Sequence, residues 1–144
     1  MTGHSTASGR LQRDLCANHA AIHGAADGAI AVGFVLVNAA EEFISPDRNR
    51  RRAMGSTPVV SRHNQPRDAI RVRDCVCEVP FRDRRDDDGY DALGMVALDA
   101  RNDGSPVELV GGDRDAAPSP DDPIHYEGMV RRITNAYEGR FADI

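Results

Sequence analysis

Cys16, His19 and His23 stand at i, i+3 and i+7, a spacing that puts all three on one face if the segment is helical. Histidines four apart on a helix can both ligate one zinc ion, and Cys75 or Cys77 could complete such a site from elsewhere. The competing reading makes these residues core or boundary side chains. On a helix, Cys75 and Cys77 point about 200° apart; on a strand they share a face, with nothing to bring it near the first helix. Asp86, Asp87 and Asp88 ahead of Gly89, and Asp121 with Asp122 near His125, could offer oxygen ligands to a hard cation. Consecutive carboxylates lack the alternating spacing of a calcium loop and read more simply as solvated loops. Glu41 and Glu42 are better placed, directly behind a strand-like run, where α/β proteins bind their ligands.

The chain also excludes chemistry. All 18 basic residues are arginine, so no mechanism can draw a catalytic lysine from it. There is no G-x-S-x-G elbow, no P-loop and no dinucleotide glycine fingerprint. Cys16 beside His19 is not a nucleophile–base signature, because sequence spacing does not establish spatial pairing. The preference for Arg over Lys and for Asp (17 residues) over Glu (6 residues) reads as GC-rich coding. Arg48, Arg50, Arg51 and Arg52 form the densest positive cluster in a chain of net charge -5. Guanidinium forks suit phosphate oxygens. Asn64 and Gln65 nearby are residue types that read adenine edges, which makes these six residues the candidate DNA contacts. The competing reading is a solvated loop balanced by Asp47 and Glu41.

The elements that must position these residues follow from periodicity and breakers. Residues 1–9 are small and polar and read as a flexible end. From Arg10, the apolar residues Leu11, Leu15 and Ile22 mark a helical stripe that Asn18 interrupts and Gly24 and Gly28 close. Residues 29–38 (AIAVGFVLVN) are continuous, β-rich and short, as expected of a strand covered on both faces at the centre of an α/β sheet. Residues 45–60 carry Pro46, the arginines and Gly55 and read as a mobile basic loop. In HNQPRD, Asn64 is the candidate N-cap, and Ala69, Val72, Cys75, Val76 and Val79 share one helical face until Pro80. Residues 90–100 read as a strand, 102–104 as a tight turn and 106–110 as its antiparallel partner. From Ile124, the residues Tyr126, Met129, Val130, Ile133, Tyr137 and Phe141 stack on one side of a last helix. The expected fold is α/β, in the order α-β-α-β-β-α, with a mixed sheet flanked by helices in one domain over residues 10–144.

Hydrophobic content of 40% and charged content of 28% are those of an ordinary globular protein. No apolar run approaches the roughly 20 residues of a membrane span. The first ten residues lack the charged start and apolar stretch of a signal peptide, and three cysteines do not suggest a disulfide framework. A cytoplasmic location with reduced thiols is expected.

Five stretches, MTGHSTASGRLQRDLCANHAAIHG, AIAVGFVLVNAAEEFISPDRN, HNQPRDAIRV, GYDALGMVALDARNDGSPVELV and DDPIHYEGMVRRI, together resemble the C-terminal part of bacterial PD-(D/E)xK restriction-endonuclease-like proteins. In that family, an Asp on one strand and an acidic-x-Lys pair on the next bind magnesium and activate water for phosphodiester cleavage; a helix and a further strand follow. The resemblance implies that Met1 lies just beyond the acidic-x-Lys strand, that residues 10–24 form the following helix and residues 29–38 the next strand. With no lysine, no catalytic residue of the family can be carried onto this chain. The resemblance therefore implies an incomplete nuclease fold, a truncated or remnant endonuclease that at most contacts DNA. It implies no cofactor, with Mg2+ relevant only if an upstream catalytic half exists. Two alternatives remain at the level of sequence: a free-standing module that binds a protein partner or a second copy of itself, and a small metal-binding protein built on Cys16, His19 and His23.

Overall fold

A computed structural model describes residues 4–26, 28–84, 87–112 and 115–142, with the backbone alone for 4–8. In chain order the elements are α1 (His4–Ala25), β1 (Val32–Asn38), β2 (Glu42–Ile44), α2 (Pro46–Asn49), β3 (Val60–Arg62), α3 (Arg67–Cys77), β4 (Ala92–Asp99), β5 (Glu108–Leu109) and α4 (Tyr126–Phe141). The α/β class is as expected, but the order α-β-α-β-β-α lacked three of these elements. The stretch 45–60, expected as a mobile loop, contains the short α2, and β3 begins at its end with Val60 and pairs antiparallel with β2 to make a hairpin. Strands of three residues are too short to display a period, so the sequence offered no signal for them. Helix α1 likewise begins at His4, inside the stretch read as a flexible end, while residues 1–3 lie outside the described ones.

The main sheet has the order β1-β4-β5. β1 and β4 run parallel, with Val32 opposite Ala92 and Asn38 opposite Leu98. β5 is antiparallel to β4 through only two residue pairs, across a turn where Asn102 and Gly104 take φ of +56° and +94°. In parallel sheets neighbouring residues share a face. Val35, Leu93 and Met95 therefore meet Leu15 of α1 and Val76 and Val79 near α3 in one buried cluster. Each large side chain fully buried there contributes about 1.5–3 kcal/mol. α4 lies on the opposite face, over β4. A Cβ on Gly94 would come within 2.5 Å of the Met129 sulfur, so the missing side chain is what lets the helix sit so close.

Three expectations change at the level of side chains. The buried stripe of α1 runs from Leu11 through Leu15 to His19, the i, i+4, i+8 positions, whereas Ile22 is 37% exposed. Asn64 does not cap α3 with its side chain. The Asp68 carboxylate accepts the Asn64 N–H at 3.0 Å, and Gln65 Oε1 accepts the Ala69 N–H at 3.2 Å. Most consequentially, β1 is an edge strand. Its buried residues alternate with exposed Val32, Phe34 and Leu36, because α4 covers β4 rather than β1. A continuous apolar run records that a strand is suited to burial, and says nothing of whether a neighbour is present to bury it.

Candidate functional site

Two clefts flank the β1/β4 pair, one at each end. The cleft at the carboxyl ends, about 770 Å³, lies between the hairpin, the start of α3 and the end of β4. The hairpin is docked there at Ile44, whose N–H donates to Arg101 O at 2.8 Å and whose carbonyl accepts from the Asn102 side-chain Nδ2 at 2.9 Å, while His63 N–H donating to Glu41 O at 2.8 Å extends the hairpin's own ladder. Gln65 ties α3 to β1 by donating from Nε2 to Asn38 O at 3.1 Å. Among the described residues, the cleft is lined by the carboxylates Glu41, Glu42, Asp99, Asp103 and Asp115 against the single cation Arg101, with Phe43, Ile44 and Val60 as its apolar part. Glu42 pairs with Arg62 at 2.6 Å, and Asp99 with Arg101 at 3.2 Å. Hydrogen bonds from the Ser105 hydroxyl and N–H hold the Asp103 carboxyl below the usual carboxylate range. An anionic lining of this kind repels phosphate oxygens. The described lining contains no Cys, His, Ser or Lys, so carboxylates supply its ionisable groups apart from Arg101.

Above this cleft the hairpin projects its connection, residues 45–59. Asn49 organises it: Nδ2 donates to Ser45 O at 2.9 Å and Val59 O at 3.0 Å, while Oδ1 accepts the Val59 N–H at 2.8 Å. This clamp closes the base of the loop, between residues 45 and 59. Arg48 donates weakly to Ser61 Oγ at 3.4 Å. Arg50, Arg51 and Arg52 are exposed, with no ion pair or side-chain hydrogen bond among the described residues. Of the two adenine-reading candidates, Asn64 is exposed, but both ends of the Gln65 amide are engaged within the fold.

The amino ends of the strands are built differently. Asp91, 5% exposed, accepts the Ala31 N–H at 2.8 Å and forms a two-armed ion pair with Arg140. Arg140 also donates to Ala29 O at 2.5 Å. Arg132 donates from Nε to Asp91 O at 3.0 Å and lies 4.4 Å over the Phe81 ring. His23 is part of this cluster: Arg82 donates to its Nδ1 at 2.6 Å, and its Nε2 faces Gly89 O at 3.1 Å. A lone pair on Nδ1 and a proton on Nε2 satisfy both contacts. Gly89, at φ +135°, allows the turn; a Cβ there would meet Pro80 O at 2.5 Å. Sequence reading missed this cluster, since Asp91 and Arg140 are 49 positions apart and neither falls in a motif.

The two histidine candidates take other partners in the fold, while Cys16 of α1 comes near Cys75 of α3. His23 is occupied by Arg82, and His19 packs edge-on against Tyr90 with ring centroids 5.4 Å apart. Burial lowers the His19 pKa, and nearby His23 lowers it further, while Asp88 opposes them. Cys75 is half-buried and Cys77 exposed, as the helical reading expects, and desolvation pushes both thiols up, toward the protonated form. Asp122 is used in its own turn, accepting the Ser119 N–H at 2.6 Å, and Asp86 lies outside the described residues. Among the described residues no group of three His, Cys, Asp or Glu side chains could hold a metal ion, and no helix is long and apolar enough to cross a membrane. No protein family, curated protein or solved structure matches the chain.

Proposed function

We propose that this chain is a nuclease-like remnant that contacts nucleic-acid backbone through its arginine hairpin and does not itself cut. The observation that carries the reading is the state of Arg50, Arg51 and Arg52: exposed, clustered at the head of a clamped hairpin, and without a carboxylate partner among the described residues. Three free guanidinium groups on one loop are suited to phosphate oxygens. The α1–β1 order also agrees with what the resemblance to restriction-endonuclease-like proteins implies for the segment behind their catalytic strand. The acidic cleft below confines that contact to the hairpin, because a duplex drawn into it would meet five carboxylates. Gln65 takes no part in this reading, as its amide holds α3 to β1.

The test is fluorescence anisotropy of a labelled duplex titrated with the chain at rising salt. With up to four phosphates neutralised, the log–log salt slope reaches about -3.6, so a fourfold rise in salt weakens binding by roughly two orders of magnitude. Replacing Arg48, Arg50, Arg51 and Arg52 together by Ser abolishes binding while changing stability by less than about 0.5 kcal/mol per substitution. Salt-insensitive binding, undiminished binding by that variant, or magnesium-dependent cutting absent from a mock preparation would each overturn the reading.

A further inference from the structure

The two edges of the main sheet are unlike. β5 is a blunted edge, two residues long and flanked by Pro106. β1 has none of the usual protections: seven residues, no proline, and no charge anywhere from Ala29 to Ala40. Its hydrogen-bonding pattern shows which groups are free. Ala31 O accepts from Ala92, and Ala39 N–H donates to Leu98 O, so the odd-numbered residues of β1 face β4. The N–H and C=O groups of Val32, Phe34 and Leu36 therefore point away from the sheet. The same three residues carry the exposed side chains of β1, at 42%, 48% and 60% exposure, beside Tyr126 and Val130 of α4, which are also exposed. Phe34 meets Tyr126 edge-on at a centroid distance of 6.2 Å.

We infer that β1 is the self-association edge of this protein, pairing antiparallel with β1 of a second copy about a two-fold axis at Phe34. In that register Val32 lies opposite the partner copy's Leu36, and Phe34 opposite its own equivalent. All three outward-facing residues then exchange hydrogen bonds, and pairing stops short of Asn38, whose carbonyl is already taken by Gln65. The two three-stranded sheets become one of six strands, and both open apolar faces lie side by side. Charge favours this occupant. The cleft at the amino end of β1 is lined by Arg82, Arg84 and Arg140 with two aspartates, and the one at its carboxyl end by five carboxylates and one arginine. Antiparallel pairing keeps the two acidic ends apart and sets each beside the other copy's amino end, where Arg82 and Arg140 are engaged within their own chain and Arg84 is exposed, and the uncharged strand between them carries no penalty. This pairing is independent of any nucleic-acid contact.

Sedimentation and light scattering of the full chain without DNA test it. The expected mass is twice the 15.6 kDa of one chain, falling to one chain on dilution. Phe34→Asp places two carboxylates opposite each other on the axis and gives a monomer with a cooperative melt; Leu109→Asp, on the β5 edge, leaves the dimer intact. Should Phe34→Asp fail to fold, hydrogen exchange on the unaltered chain decides: protection of the Val32, Phe34 and Leu36 amides must rise with concentration. A monomer at every concentration, a dimer that survives in folded Phe34→Asp or dissociates in Leu109→Asp, or concentration-independent exchange at those amides would overturn the inference.

Discussion

The two ends of the β1/β4 pair contain the same kinds of charged residue and use them in opposite ways. At the amino end, Asp91 is buried and met by Arg140 and the Ala31 N–H, with Arg132 on its carbonyl and His23 beside it, so the charges there hold strands, α1 and α4 together. At the carboxyl end, the pairs Glu42–Arg62 and Asp99–Arg101 are more open to solvent, and the hairpin is attached by neutral hydrogen bonds at Ile44 rather than by ions. Solvent screens exposed pairs to a fraction of a kcal/mol, while a buried charge that loses its partner is left with its full desolvation cost. Charges at the amino end are thus structural, and those at the carboxyl end and on the hairpin are free to meet a ligand.

The largest expected effect tests the structural half of this contrast. Asp91→Asn strands Arg140 in a site where its side chain is 17% exposed, and lowers stability by about 3–5 kcal/mol. In a chain of this size that is roughly 10–17 °C in melting temperature. Glu42→Gln, at the other end, changes stability by less than about 1 kcal/mol. Equal losses in thermal melts of the two variants would erase the distinction.

A smaller and more local effect is expected at the hairpin. Asn49→Ala removes three hydrogen bonds and costs about 1–3 kcal/mol. The loss is confined to this segment: exchange at the Val59 amide and proteolysis between residues 50 and 58 accelerate, while β4 amides keep their protection. If β4 loosens as well, the hairpin is integral to the core, and the contrast between the two ends narrows.

The smallest effect is a pH dependence. The His19 pKa lies below its ordinary 6.5 because burial disfavours the imidazolium, so below pH 6.5 the unfolded chain binds more protons at this residue than the folded one. Its contribution to stability is complete above pH 6.5 and declines as the pH falls from there through the lowered folded-state value. His19→Gln flattens that portion of the stability–pH curve. An unchanged slope in denaturant titrations between about pH 7 and pH 5 would place the titrating group elsewhere.

Much of the fold was legible because it rests on local patterns. The spacing of Ala69, Val72 and Val76 marks α3, and the Asn102–Gly104 turn joins β4 to β5. The apolar side of α4 is plain from Tyr126, Met129 and Ile133 at i, i+3 and i+7, although the fold buries only Met129 of them and leaves Tyr126, Val130 and Tyr137 exposed. The site was less so. The arginine cluster is visible as composition, but that it stands on a hairpin depends on Asn49, one residue bridging two segments ten positions apart. His19 and His23 show the same limit. Their spacing suits a metal, yet His19 continues the Leu11–Leu15 stripe into the core and His23 is met by an arginine 59 positions away.

What the sequence by itself determined is therefore the set of local preferences: where the longer helices and strands form, which faces are apolar, and that the chain itself supplies no lysine. What only the tertiary structure decided is which neighbour each face meets. The run 29–38 carries the composition of an interior strand, and the fold leaves it at an edge, because α4 reaches β4 and no strand lies beyond β1 among the described residues. Periodicity is a property of a chain with itself, while burial, ion pairing and the satisfaction of a sheet edge belong to pairs of segments that only folding brings together.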